Sequence, residues 1–400
     1  MRILQLCHKP PFPPSDGGSI AMNQITRGLL DRGISVKVMA IAPSGSESTL
    51  GKVTRNYIKE TGFEFFPVNT RVRPVSAFFN LFSGKSYNIT RFYCSKLATR
   101  LAELLKQESF DIIQLEGLYL TPYIHVIRQH TGAPLLFRSH NIEHFIWERM
   151  AASARNPLKR LYLKILTARL RKYEMRTVHQ VDGLIAISPV DMRFFEKNGF
   201  SHPAVTIPVG IGSDMAAFEE TVPEANTIFH LGSMDWRPNQ DGISWFIEKV
   251  WPIIKQRNPE IRFVLAGKNI PEQFYNYHGG NIIVAGEVPD AAKFMQEHAL
   301  MVVPLRSGGG MRVKIVEGMA AGKAIVSTSI GAEGIDCTHG ENILLADTPM
   351  EMAESVLYCF SNPAFIKTLG KSARVFALEN HLIEPIIEKL TGFYSTFLEN

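Results

Sequence analysis

The most constraining stretch of the chain runs from Pro304 to Gly331, PLRSGGGMRVKIVEGMAAGKAIVSTSIG. The apolar run Met301-Val302-Val303 ends just before it, and Gly308, Gly309 and Gly310 then remove every side chain over three positions. Apolar run, bare turn and helical spacing from Met311 to Ala321 predict a strand, a tight turn and a helix. Gly322 closes that helix, and Ala324 to Thr328 reads as the next buried strand. Such alternation belongs to α/β folds. Bare backbone at a helix start suits an anion, because the first N–H groups have no partners inside the helix and its dipole is positive there. Arg312 and Lys314 add two cations in the first turn, where the dipole alone favours acids. That inversion points to a phosphate. About one turn on, Glu317 is placed to accept hydrogen bonds from paired sugar hydroxyls.

Length bounds the architecture. Four hundred residues exceed one ordinary core, so two domains are expected. Hydrophobic residues make up 45% and charged residues 20%, the composition of a soluble globular protein. No apolar run reaches the roughly 18 residues of a membrane span, and the opening MRILQLCHKPPF is too short in apolar residues for a signal peptide, so the cytoplasm is the expected compartment. Cys7, Cys94, Cys337 and Cys359 form no C-x-x-C pair, which points away from a disulfide framework and from zinc. Charge divides unevenly: residues 1–200 carry a net +13 and the remainder a net −8. A basic first half suggests an anionic partner such as a lipid-linked pyrophosphate or an anionic membrane surface. No DNA- or RNA-reading motif accompanies it, so nucleic acid is not expected.

Taken in order, Arg2 to Cys7 reads as a buried strand, and Lys9 to Ser19 as a proline-rich loop ending in Asp16-Gly17-Gly18-Ser19. Ile20 to Arg32 has the spacing of an amphipathic helix, and Ser35 to Ile41 that of a second strand. Gly17-Gly18 is not G-x-G-x-x-G, and Gly210-Ile211-Gly212 lacks the third glycine at Met215, which argues against a nicotinamide enzyme. Phe110 to Leu115 and Leu135 to Arg138 are further strands, the second running straight into Ser139-His140-Asn141. Open α/β sheets place chemistry at strand carboxyl ends. Between Arg71 and Arg100, basic residues alternate with Phe78, Phe79, Phe82, Tyr87, Phe92 and Tyr93, either a headgroup-level surface or a helical core face. Arg155 to Arg176 holds eight basic residues and one acid on an amphipathic helical pattern, suited to an anionic leaflet or to packing on the first domain. Val209 to Asp214 reads as a hinge. A second set of alternating elements begins with the strand Thr227 to Leu231, and His381 to Leu398 forms a closing helix broken at Pro385.

The strand, the triple glycine, Arg-x-Lys, Glu317 and AAGKAIVST together resemble the donor-sugar site of retaining glycosyltransferase family 4. The resemblance covers nearly the whole chain and is most specific in the second half. It implies the GT-B fold, two Rossmann-like doubly wound domains facing a cleft. The first would span residues 1–208, completed by the closing helix 381–400, and take the acceptor; the second would span 209–380 and bind the donor. Most family members carry two glutamates eight residues apart; this chain has only Glu317, with Gly309 at the first position, and its GGG-Met-Arg-Val-Lys turn resembles a variant of the motif.

The implied reaction moves a sugar from a nucleotide diphosphate to a hydroxyl with retention, in bacterial-type surface polysaccharide or glycolipid synthesis. By the same match His140 lies on the donor sugar with Asn141 beside it, Gly17 and Gly18 form an acceptor and phosphate loop, and Glu317 holds the nucleotide ribose. Gly232 and Arg237 approach the pyrophosphate, Gly286 and Val288 the base, and Gly308, Gly309, Gly310 and Met311 line the donor turn with Arg312 and Lys314. The family commonly has a lysine near position 241, where this chain has Asp241; Arg312 and Lys314 are expected to supply the missing charge. Asp235 is followed by Trp236 and Arg237, not by a second Asp one residue on, so no metal and no cofactor besides the donor is expected. The partners would be the donor, a saccharide or lipid-linked acceptor and an anionic membrane touched peripherally. Two other readings remain open at this level, a GT-B nucleotide-sugar epimerase and a nucleotide-sugar-binding protein without turnover.

Overall fold

The computed structural model describes residues 1–71, 79–80, 83–154, 156–212 and 224–398. It divides into two compact units, Met1–Val209 with the chain from Glu384 onward, and Gly210–Ile383. Parallel strands covered on both faces must be apolar throughout, and the strands of both units are nearly continuous in Ile, Leu, Val, Phe and Ala.

Unit 1 holds seven strands: β1 (Arg2–Cys7), β2 (Ser35–Pro43), β3 (Glu64–Val68), β4 (Ile112–Glu116), β5 (Leu135–Ser139), β6 (Gly183–Ala186) and β7 (Ala204–Thr206). Their order is β3-β2-β1-β4-β5-β6-β7, with every neighbour parallel. Unit 2 holds β8 (Glu224–Leu231), β9 (Arg262–Ala266), β10 (Ile282–Gly286), β11 (His298–Val303), β12 (Ala324–Ser327) and β13 (Leu344–Leu345), in the order β10-β9-β8-β11-β12-β13. In each sheet the winding reverses once, between β1 and β4 and between β8 and β11. Helices leave the sheet on opposite faces at that point, so the strand ends there form an open crevice where ligands bind. Cys7 pairs with Glu116 at the first reversal, and Leu300 with Ile228 at the second.

The chain returns to unit 1 at its end. The helix Pro363–His381 stops at Leu382, and Ile383–Ser395 forms the closing helix. Two glycines seat it: a Cβ on Gly28 would lie 2.3 Å from Ile387, and one on Gly183 2.6 Å from Phe397. The break therefore falls at Leu382, and Pro385 sits inside the first turn, where its missing N–H costs nothing.

Three other boundaries differ from the sequence reading. The first helix is Gly17–Asp31, because Asp16 caps it and Ser19 completes a capping box; Gly17 and Gly18 are its first turn, not the end of a loop. The fourth strand extends to Glu116. The helix after the triple glycine begins at Val313, with Arg312 as N-cap. Of the segments singled out in the sequence, Arg73, Phe78, Phe82, Arg155, Ser213 and Asp214 lie outside the described residues. No helix among the described residues is long and apolar enough to cross a membrane.

Candidate functional site

At the reversal in unit 2, β8 delivers His230 and the triple-glycine turn delivers Lys314. His230 is fully buried and its Nδ1 lies 2.9 Å from the Val302 carbonyl, which makes Nδ1 the donor and Nε2 the acceptor. Lys314 Nζ lies 3.1 Å from that Nε2 and 2.9 Å from Asn239 Oδ1. Burial and the Lys314 charge hold His230 well below its ordinary pKa, so the ring is neutral. The ammonium therefore rests on two neutral acceptors. Burial, and then the charge of Arg312, bring the Lys314 pKa down to about 7. Gly232 lines the same spot: a Cβ there would stand 2.8 Å from Lys314 Nζ. Such a group gains from any anion that reaches it.

Arg312 does not extend freely from the first turn of the helix. Its Nη1 donates to the carbonyls of Gly309 and Gly310, the second at 2.8 Å, and its guanidinium lies 5.0 Å from the Trp236 ring centroid. Gly308, at φ 118°, leaves the room this needs, since a Cβ would come within 2.9 Å of Trp236. Arg312 thus shapes the turn that presents Lys314. The carboxyl of Glu317, half-buried one turn on, has no hydrogen-bond partner among the described residues, and burial raises its pKa. Met311 is buried. Arg237 is exposed at the start of the helix Arg237–Trp245, and Asp241 on that helix lies 3.7 Å from Arg306. Gly286, at φ 78°, ends β10, and Val288 follows in the loop, two strands from β8. The structure brings Gly232 to Lys314, and Arg312 to the three glycines and Trp236, with Arg237 exposed at the rim beside Trp236; Gly286 and Val288 lie at the end of β10. Neither His230 nor Asn239 was singled out in the sequence. The one available signal was a histidine interrupting the apolar run of β8.

At the reversal in unit 1, His140 and Glu116 meet. His140 Nε2 lies 2.6 Å from Glu116 Oε2, and Arg138 Nη1 3.2 Å from the same oxygen. Burial alone would raise the Glu116 pKa; Arg138 and hydrogen bonds from His140 and Gln5 outweigh it and hold the carboxyl at about 2. Burial keeps His140 below its usual value, so at neutral pH the ring is uncharged with its proton on Nε2, facing the carboxylate. His8 stands edge-on at 5.4 Å, its Nδ1 2.7 Å from the Glu116 carbonyl, and burial with Lys9 beside it lowers its pKa to about 3. Asn141 Nδ2 lies 3.3 Å from Glu143 Oε1, and Tyr119 donates to Glu143 Oε2 at 2.7 Å. Burial and the Glu174 charge push Glu143 up to about 7. Gly17 and Gly18 offer bare N–H groups at the start of a 15-residue helix, flanked by the Lys9–Asp16 pair at 2.6 Å. Glu116, the centre of this cluster, carried no role in the sequence reading.

The basic helix is Pro157–Val178, packed against Glu143–Ser153. Leu163, Leu166 and Leu170 face the core, while Leu158 and Leu161 are 77% and 59% exposed. A groove of about 660 Å³ between the two helices is lined by alanines, Thr167 and Met175, with Lys164, Arg171 and Lys172 from the basic helix and His144 and Glu148 from the other. Of the aromatics before Arg100, Tyr87 and Phe92 are buried, and Phe79 and Tyr93 exposed. Among the described residues no group of three or more His, Cys, Asp or Glu is placed to hold a metal ion.

The family model for Glycosyltransferase Family 4 matches residues 15–215, just over half of the chain, and that for Glycosyl transferases group 1 matches residues 225–362. A 44.6 kDa uncharacterized protein of the cps region of Klebsiella pneumoniae is 25% identical over 318 residues, covering 76% of this chain and 78% of its own. Among solved structures, sucrose-phosphate synthase from Thermosynechococcus elongatus aligns over 100% of both chains with a TM-score of 0.73 at 16% identity. Anabaena HepE in complex with UDP aligns over 99% of this chain and 100% of its own with a TM-score of 0.68 at 16% identity. Two parallel-sheet domains of this order are the GT-B fold, and the chain is a glycosyltransferase belonging to Glycosyltransferase Family 4.

Proposed function

We propose that the enzyme transfers a hexose from a nucleotide-diphosphate sugar to a hydroxyl acceptor with retention at the anomeric carbon, using protein cations in place of a metal. The observation that carries this reading is Lys314, a partly desolvated cation supported, among the described residues, by the neutral groups His230 and Asn239 at a strand-order reversal. A diphosphate leaving group is the counter-charge such a lysine lacks. Its negative charge grows as the sugar departs, and donors already fixed in place stabilise that change without reorganising. Lys314, the amides of Gly308 to Gly310 and the turn shaped by Arg312 supply them, with Arg237 reaching in from the rim.

Glu317 would take the ribose hydroxyls, because a half-buried carboxylate with a raised pKa favours hydroxyl donors. Gly286 and Val288 would meet the base. HepE was solved with UDP, which supports uridine as the base here. On the other unit His140 would orient the sugar, while Asn141 and the first-turn amides of Gly17 and Gly18 would receive the acceptor and any phosphate it carries. The exposed apolar stripe and cationic groove of the basic helix favour a lipid-linked acceptor in surface polysaccharide or glycolipid synthesis, met at the cytoplasmic face of a membrane.

Thermal shifts with UDP, UDP-glucose, UDP-N-acetylglucosamine and GDP-mannose test the donor site, since a ligand of the folded state raises Tm by mass action. One nucleotide is expected to stabilise the wild type, with Lys314→Ala weakening its binding about 10- to 100-fold through the lost charge-assisted hydrogen bonds. No shift with any of them, or an unchanged affinity in Lys314→Ala, overturns the assignment. Retention is read from the anomeric coupling constant of the first product.

A further inference from the structure

We propose that Tyr394, on the closing helix, is a positioning residue for His140 that acts through Gln114 and Glu116. The inference rests on the proposed part of His140 in transfer and is tested without measuring turnover.

Glu116 is fully buried, and both of its carboxylate oxygens are doubly served. Oε2 receives Arg138 Nη1 at 3.2 Å and His140 Nε2 at 2.6 Å; Oε1 receives Gln5 Nε2 at 2.8 Å and Gln114 Nε2 at 2.6 Å. A glutamine beside a carboxylate helps only if it presents nitrogen, because its oxygen would repel the charge. The group on the far side decides which end points inward. For Gln5 that group is Thr26, whose hydroxyl donates to Gln5 Oε1 at 2.6 Å; for Gln114 it is Tyr394, whose hydroxyl donates to Gln114 Oε1. Burial raises the phenol well above its ordinary pKa, so it remains a donor. Each hydroxyl claims an amide oxygen and thereby turns the amide nitrogen onto Glu116.

The four donors keep Glu116 ionised and oriented, and the oriented carboxylate in turn selects the Nε2–H tautomer of His140. The other ring nitrogen, Nδ1, is left as the basic one. The charged and titratable groups facing His140 are Glu116 from β4, Arg138 from β5, and His8 and Lys9 from the segment after β1. Tyr394 is the one member of this network contributed by the end of the chain. Its helix is held in register by Ile387 over Gly28 and by Phe393 and Phe397 over Gly183.

Nuclear magnetic resonance of the full chain labelled with ¹⁵N-histidine reads the tautomer and titration of His140, assigned by the signal lost in His140→Asn. Tyr394→Phe keeps the buried ring and removes only the donor. Gln114 is then free to turn its oxygen toward Glu116, which loses a donor and binds the imidazole proton more tightly. The His140 midpoint is expected to rise by about 0.5–1 pH unit, with Nε2 still the protonated nitrogen of the neutral ring. Gln114→Met removes the same link from the middle, should move the midpoint in the same direction, and serves if Tyr394→Phe fails to fold. A wild-type titration midpoint in both variants overturns the proposal. Full turnover in His140→Ala would remove the role of His140 in transfer and leave this titration as a separate result.

Discussion

Lys314 is a cation among neutral partners, and its proton therefore reports on what binds beside it. Its pKa is about 7 in the folded protein against an ordinary 10.5. A bound diphosphate favours the charged form and raises that value, so at pH 8 the free protein has largely lost the proton that the complex holds. UDP binding at pH 8 should take up close to one proton and weaken roughly 50-fold between pH 7 and pH 9. Calorimetric titration in phosphate and in Tris reads this directly: an apparent enthalpy independent of buffer would remove Lys314 from the diphosphate site. The same shift affects stability. Between pH 7 and 10.5 the unfolded chain binds the proton more tightly than the folded one, so the contribution of this residue to stability rises with pH across that window. Lys314 was legible in the sequence because glycines and cations at a helix start are a local pattern. His230 and Asn239 were not, since they lie 84 and 75 residues away and only the pairing of β8 with β11 brings them together. Glu116 escaped for the same reason: its four donors come from β1, from its own strand β4 and from the end of β5.

The elements themselves were legible, and their ends less so. Periodicity locates a helix, but caps end it, and at Gly17 the Asp16–Ser19 capping box outweighed the low helix propensity of two glycines. Position within the sheet was also hidden, because strand order decides that β1, β4, β8 and β11 carry the sites. Close approach between elements is a further property that sequence spacing does not show. Gly242 lets the helix Arg237–Trp245 lie against the loop after β11, and a Cβ there would come within 2.5 Å of the Pro304 carbonyl. Both sides of that contact are backbone, so Gly242→Ala must push the helix outward, carrying Asn239 away from Lys314. A stability loss of about 2 kcal/mol is expected in urea denaturation, together with weaker nucleotide binding. An alanine variant with wild-type midpoint and affinity would show that the helix can shift at no cost.

At the scale of the whole molecule, the two-domain α/β architecture followed from length and alternation, whereas the division of charge acquired a location only in the structure. Lys164, Arg171 and Lys172 line one groove, on a helix that also exposes Leu158 and Leu161. Each basic residue near an anionic leaflet contributes on the order of 1 kcal/mol, so reversing all three to Glu should lower binding to phosphatidylglycerol vesicles more than about 100-fold at low salt. Co-sedimentation with vesicles measures it, and equal binding by wild type and variant would assign the membrane contact elsewhere. The path of the chain matters as well. Unit 1 needs Ile387, Phe393 and Tyr394 to cover Gly28 and Gly183 and to complete the network behind His140, yet these residues follow all of Gly210–Ile383. During synthesis on the ribosome, the second unit has every part of its sheet outside the exit tunnel before the first receives its last helix. The unit that is translated first is thus the one that finishes folding last, and it waits with an open seam on its sheet for chaperones to guard.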